Sequence, residues 1–179
     1  VVGLNPAGTM AIANTGDGIY VISSASTMIG GLSSGQRNVV SGNTGDGVRI
    51  RGAASTGTLI QGNYIGTNAA GTATVGNGVE GILLDNGANA TTIDQNVISG
   101  NAASGLHITG SATDNNIVIG NLIGTDAAGT VDLGNSTDGV RITTLAANNQ
   151  IGGPNPSDAN IIAFNGTGID LLADAGTGN

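Results

Sequence analysis

Residues 38–72 read NVVSGNTGDGVRIRGAASTGTLIQGNYIGTNAAGT, and residues 96–130 read NVISGNAASGLHITGSATDNNIVIGNLIGTDAAGT. The two stretches align at an offset of 58 residues without a gap. The alignment continues beyond them, with Gly76-Asn77 on Gly134-Asn135 and Gly81-Ile82 on Gly139-Val140. Repeat copies therefore occupy 38–95 and 96–159, with partial copies at 1–37 and 160–179, in one domain spanning 1–179. A fixed internal period marks a chain that buries its apolar face by stacking one unit on the next.

Each unit divides into two unequal coils. Asn followed by an apolar pair recurs at Asn38, Asn63, Asn96, Asn121 and Asn160, at intervals of 25, 33, 25 and 39 residues. Every interval also holds a Gly-apolar-x-apolar strand, such as Val48-Arg49-Ile50 or Leu106-His107-Ile108, and a third apolar pulse at Ile29, Ile60, Ile93, Val118 or Ile151. Short strands separated by Gly, Asn, Asp, Ser and Thr turns predict a solenoid whose strands lie parallel on the coil below. Side-chain period 2 then assigns the inward columns. One is Val40, Ile65, Ile98, Ile123 and Ile162; another is Val48, Ile82, Leu106, Val140 and Ile169; a third is Ile50, Leu84, Ile108, Ile142 and Leu171. The predicted fold class is all-β, a parallel β-helix of about six coils, alternating short (25-residue) and long (33–39-residue) ones. The recurring Asn residues are expected to stack as a ladder, amide on amide, along the axis.

Composition agrees. The chain has 179 residues, of which 33 are Gly and 21 Asn, and only 9% are charged. Gly and Asn are poor helix formers, and the Glu, Lys, Arg and Gln that cover helix surfaces are scarce. Four Arg against twelve acids, a net charge of -8, exclude a basic stripe for nucleic acid. Without Cys there is neither a disulfide framework nor a thiolate zinc site. No apolar run is long enough to span a bilayer, so membrane insertion is not expected.

The strings GNYIGTNAAGT (62–72), GNLIGTDAAGT (120–130), NVISGN (96–101) and TGDGVRI (44–50) resemble the right-handed parallel β-helix repeats of large bacterial surface proteins. The resemblance implies a right-handed helix and an extracellular or cell-surface location, as a structural segment of a fibre, stalk or adhesin. Pectate lyases, polygalacturonases and phage tailspikes share the architecture, so fold alone assigns no activity. The alternative is a glycan-binding or glycan-processing β-helix.

Enzymatic chemistry finds little support in the residues. Asn135-Ser136-Thr137-Asp138-Gly139 resembles the N-T-D motif of polygalacturonases, but the Asp138 slot holds Asp17, Asp46, Glu80, Ser104 and Thr167 in other coils. The partner motifs of that family are absent. His107 points outward with no carboxylate near it in sequence. No catalytic residue and no cofactor are assigned. Asp17, Asp46 and Glu80 fall on successive coils, where a shared cation such as Ca²⁺ would relieve their repulsion. Arg49 and Arg51 also lie close enough to neutralise them, and solvated turn acids are the preferred reading. Arg49, facing outward, is expected to tolerate substitution by Asp.

One outward column, Val39, Tyr64, Val97, Leu122 and Ile161, is apolar throughout. It is either an interface or a surface covered by the long-coil inserts, with Ile12, Val75 or Leu133 folding back over it. A regular Thr array for ice binding is not found, because Thr9, Thr72, Thr130, Thr67 and Thr125 recur only in loops of alternate coils. The expected partners are copies of the chain or adjacent repeats stacked end to end, and surface glycans. Neither end resembles a cap, and Gly178-Asn179 followed by Val1-Val2-Gly3 would recreate the GNLIG motif across a junction.

Overall fold

The computed structural model describes residues 1–33 and 35–179. In chain order the first strands are β1 (Ile19–Ile22), β2 (Met28–Gly30), β3 (Val39–Val40), β4 (Val48–Arg51), β5 (Leu59–Gln61) and β6 (Tyr64–Ile65). Next come β7 (Ile82–Asp85), β8 (Thr92–Asp94), β9 (Val97–Ile98), β10 (Leu106–Thr109), β11 (Ile117–Ile119) and β12 (Leu122–Ile123). The last are β13 (Asp138–Thr143), β14 (Gln150–Ile151), β15 (Ile161–Ile162) and β16 (Thr167–Leu171). A single 3₁₀ turn, Pro156–Asp158, interrupts this series among the described residues.

Every third strand belongs to the same sheet. Sheet I is β1-β4-β7-β10-β13-β16, sheet II is β2-β5-β8-β11-β14 and sheet III is β3-β6-β9-β12-β15. All strand pairs are parallel. The chain thus visits the sheets in a fixed cycle and returns one strand higher each time, which makes a parallel β-solenoid. The register matches the inward columns read from the repeat: Val48 pairs with Ile82, Ile82 with Leu106, and Leu106 with Val140. In sheet III, Val40, Ile65, Ile98 and Ile123 pair in series.

These columns converge on one core, in which Val40, Ile50, Ile60, Ile65, Ile82, Leu84, Ile93, Ile98, Leu106, Ile108 and Ile123 have no exposed surface. Burying each such side chain contributes roughly 1.5–3 kcal/mol. Ile169 and Leu171 pair in the expected register but remain 50% and 53% exposed, because each has a strand on one side only.

Tight turns join the strands, and some need glycine. Gly66 and Gly124 follow the sheet III strands at φ +87° and +88°. A Cβ there would overlap the carbonyl oxygens of Ser99 and Ala163 in the next coil, so both conformation and close approach demand Gly.

The long-coil inserts form small loops closed by antiparallel bridges, Leu4 to Ala11, Thr67 to Thr74 and Thr125 to Asp132. Asn5, Asn68 and Asp126 each accept a backbone N–H with Oδ1, from Thr9 (2.9 Å), Thr72 (2.9 Å) and Thr130 (2.8 Å). The loops stack in turn, with Ala69 N–H donating to Gly8 O and Ala127 N–H to Gly71 O, both at 2.8 Å. They make a rib alongside sheet III.

The junction read from Gly178-Asn179 and Val1-Val2 needs correction. Asn179 stacks on Asn149, which precedes a sheet II strand, whereas Val2 bridges Val40 of sheet III. The two segments belong to turns one sheet apart, so the junction does not reproduce the GNLIG motif.

Candidate functional site

Three asparagine ladders run along the solenoid. In the one expected from the sequence, the Nδ2 of Asn38, Asn63, Asn96 and Asn121 donates to the Oδ1 of the next Asn, ending at Asn160, at 3.0–3.1 Å. The backbone N–H of each donor residue also reaches that Oδ1, at 2.9–3.1 Å. A second ladder, before sheet I, joins Asn14, Asn43, Asn77, Asn101, Asn135 and Asn165 at 2.8–2.9 Å. A third, before sheet II, joins Asn116, Asn149 and Asn179 at 2.9 Å. The sequence reading missed these two, although Gly-Asn at 42–43, 76–77, 100–101 and 134–135 signalled the second.

The acidic slot behaves as a further ladder, with carboxylates in place of amides. Asp17 Oδ1 accepts from Asp46 N–H (2.8 Å), Asp46 Oδ1 from Glu80 N–H (3.0 Å), and Glu80 Oε2 from Ser104 N–H. Ser104 Oγ then donates to Asp138 Oδ2 at 3.2 Å. Burial pushes the Asp46 carboxyl up to about 6, with the charges of Asp17 and Glu80 adding to it and the Glu80 N–H and Arg49 opposing. Among the described residues, no three His, Asp or Glu side chains gather in a geometry that could hold a metal ion.

The outward face of sheet I carries two polar clusters, separated in one column by Leu83. Arg49 Nη2 pairs with Asp85 Oδ2 at 2.6 Å, and Arg51 Nη1 lies 3.8 Å from the same oxygen. That hydrogen bond raises the Arg49 pKa above its ordinary value. His107, 27 residues from Glu80, meets it through the stacking of coils, with Nδ1 3.2 Å from Oε1. Its Nε2 is 3.1 Å from Thr143 Oγ1, which donates to Thr109 Oγ1 at 2.8 Å. A carboxylate, an imidazole and a hydroxyl in series have the connectivity of a nucleophile triad. Thr143, however, is 5% exposed and its hydroxyl donates to Thr109 Oγ1, so the series links side chains of three coils.

The apolar column of sheet III is not an open face. Val39 and Val97 are buried, Tyr64 and Leu122 are half-buried, and only Ile161 is exposed. The insert rib covers the column: a Cβ on Gly71 would fall 2.8 Å from the Tyr64 ring, and one on Gly129 3.6 Å from Leu122. Leu133 is buried and Val75 half-buried beneath the rib, whereas Ile12 stays exposed. Thr67 and Thr125 are buried in the same loops, which removes them from any surface array.

What remains accessible beside this column is a cavity of about 300 Å³, lined by Arg37, Tyr64, Gln95, Val97, Leu122 and Ala127 among others. The Arg37 guanidinium lies 4.0 Å from the centre of the Tyr64 ring, and its Nε donates to Gly62 O at 3.3 Å. No family model matches this chain, and no curated protein or solved structure matches it.

Proposed function

We propose that this chain is a non-enzymatic structural repeat segment of an extracellular fibre, stalk or adhesin. It is read as a right-handed parallel β-helix of about six coils that stacks end to end on further coils of its own kind. The observation that supports this most is the direction of the polar bonding. Buried Asn and Asp side chains form their hydrogen bonds along the axis, coil to coil, in three amide ladders and one carboxylate series. Such bonds resist axial unravelling and fix register. Right-handedness follows the general preference of parallel crossovers. Further coils would cover the inward Ile169 and Leu171, which are exposed at one end.

The test has two arms. Electron microscopy of the purified chain at rising concentration should show thin unbranched rods that lengthen by whole-chain increments. Incubation with pectin, alginate and glycosaminoglycans should release no reducing ends and no unsaturated product. Cleavage that disappears in both Glu80→Gln and His107→Asn would overturn the non-enzymatic reading and give the Glu80–His107–Thr143 series a catalytic role. The second reading, a glycan-binding β-helix, is favoured by one feature, the cavity beside Arg37.

A further inference from the structure

We propose that the cavity between the insert rib and the turns before sheet III binds a single acidic sugar unit, a hexuronate, through its carboxylate. The inference stands independently of the stalk reading, since a rod with or without self-assembly would hold the same cavity.

The position preceding each ladder Asn is Arg37, Gly62, Gln95, Gly120 and Ala159 in successive coils. Strands in neighbouring coils lie about 4.8 Å apart, so Arg37 and Gln95 stand about 10 Å apart with only a glycine between them. The missing side chain at Gly62 gives Arg37 space to lie across the next coil and reach Tyr64. Gly120 leaves the same room beyond Gln95 and lines the cavity.

Arg37 differs from the other arginines. Arg49, Arg51 and Arg141 each face a carboxylate within 4.0 Å, whereas among the described residues Arg37 has no such partner. Its guanidinium is nevertheless held, by the Tyr64 ring on one face and by the bond from Nε to Gly62 O. Among the described residues, its two terminal nitrogens have no hydrogen-bond partner. A planar fork fixed in place with free donors matches a carboxylate in bidentate fashion, with little ordering left to do on binding.

The rest of the lining selects what bears that carboxylate. Gln95 also lines the cavity; its Nε2 is 3.5 Å from Asp94 Oδ2, and its oxygen is open to accept from a hydroxyl. Val97, Leu122 and Ala127 form an apolar wall suited to the C–H face of a sugar ring. The volume, about 300 Å³, lies at the lower end of ligand pockets and matches one sugar ring. Phosphate would satisfy only the fork. A neutral hexose would leave the fork empty.

Nitrogen-15 NMR titration of the full chain with sodium D-glucuronate tests the assignment, with D-glucose, sodium acetate and sodium phosphate as separate arms at constant ionic strength. Saturable shifts should centre on the Gln95 side-chain amide, the Gly120 N–H and the Arg37 Nε–H, with millimolar affinity. Glucose, acetate and phosphate should each bind at least about tenfold more weakly, which is about 1.4 kcal/mol. Arg37→Gln, which loses only the Tyr64 and Gly62 contacts, should lower the melting temperature slightly and abolish the response. Gln95→Ala should weaken glucuronate severalfold while leaving acetate unaffected. Acetate or phosphate binding as tightly as glucuronate would reduce the site to a bare anion contact and overturn the proposal. So would glucuronate shifts that persist in Arg37→Gln, or that do not saturate.

Discussion

Asn96 shows how a single residue ties three coils together. Its Oδ1 accepts both N–H groups offered by Asn63, and its Nδ2 serves Asn121 Oδ1, Ile60 O and Asp94 O. Replacement by Ala leaves those buried partners unsatisfied. Asn96→Ala should lose about 3 kcal/mol, read as a lower urea midpoint with unchanged slope. Asp46 makes the same kind of axial bond at a cost set by its charge. Its carboxyl titrates at about 6 in the fold against 3.8 in the open chain. Between those values the folded state binds more protons, so stability falls as pH rises through the window and stays lower above it. Asp46→Asn keeps an oxygen for the Glu80 N–H and removes the charge. Its urea midpoint should be flat across the window and higher than the parent's at pH 7; a parent profile that rises with pH there would refute the assignment. The ladder residues next to an apolar pair were legible in the sequence. Asn43 sits within a turn with no apolar pair behind it, marked only by its recurring Gly-Asn, and Asn116 precedes Ile117-Val118 but follows Thr58 and Thr91 in the same slot, so no run of asparagines announced the third ladder. The contact of His107 with Glu80 was hidden for another reason: only the stacking of coils closes the gap between them.

At the scale of the strand, register was legible and energetic context was not. Alternation placed Arg49 outward correctly, yet it does not follow that the position tolerates Asp. Arg49 holds Asp85 at 2.6 Å, and a second carboxylate there would oppose the first. The third ladder is incomplete in an instructive way. The slot before sheet II holds Thr58 and Thr91 below Asn116, and both hydroxyl oxygens are buried without a partner. Thr91 N–H already donates to Asn116 Oδ1 at 2.9 Å, as a ladder residue would. Thr91→Asn should therefore add a rung and raise stability by about 1 kcal/mol, seen as a higher melting temperature. A lower one would mean that the slot lacks room for the amide, and that the ladder ends there for steric reasons.

The whole molecule follows from one repeated instruction, a 58-residue unit folded as a short coil and a long coil. Its periodicity alone predicted parallel pairing, the inward columns and the position of the inserts. The stacking of the inserts into a rib, and the cavity that the rib leaves beside Arg37, depend on side chains from different coils and had no linear signature. The account rests on coils stacking in the register read from the repeat. Nuclear Overhauser contacts between backbone protons test this most directly. The account predicts cross-strand contacts linking Val48 to Ile82, Ile82 to Leu106 and Leu106 to Val140, in parallel geometry throughout. Antiparallel contacts among the strands of the three sheets, or contacts linking strands adjacent in sequence such as Val48–Arg51 and Leu59–Gln61, would contradict it.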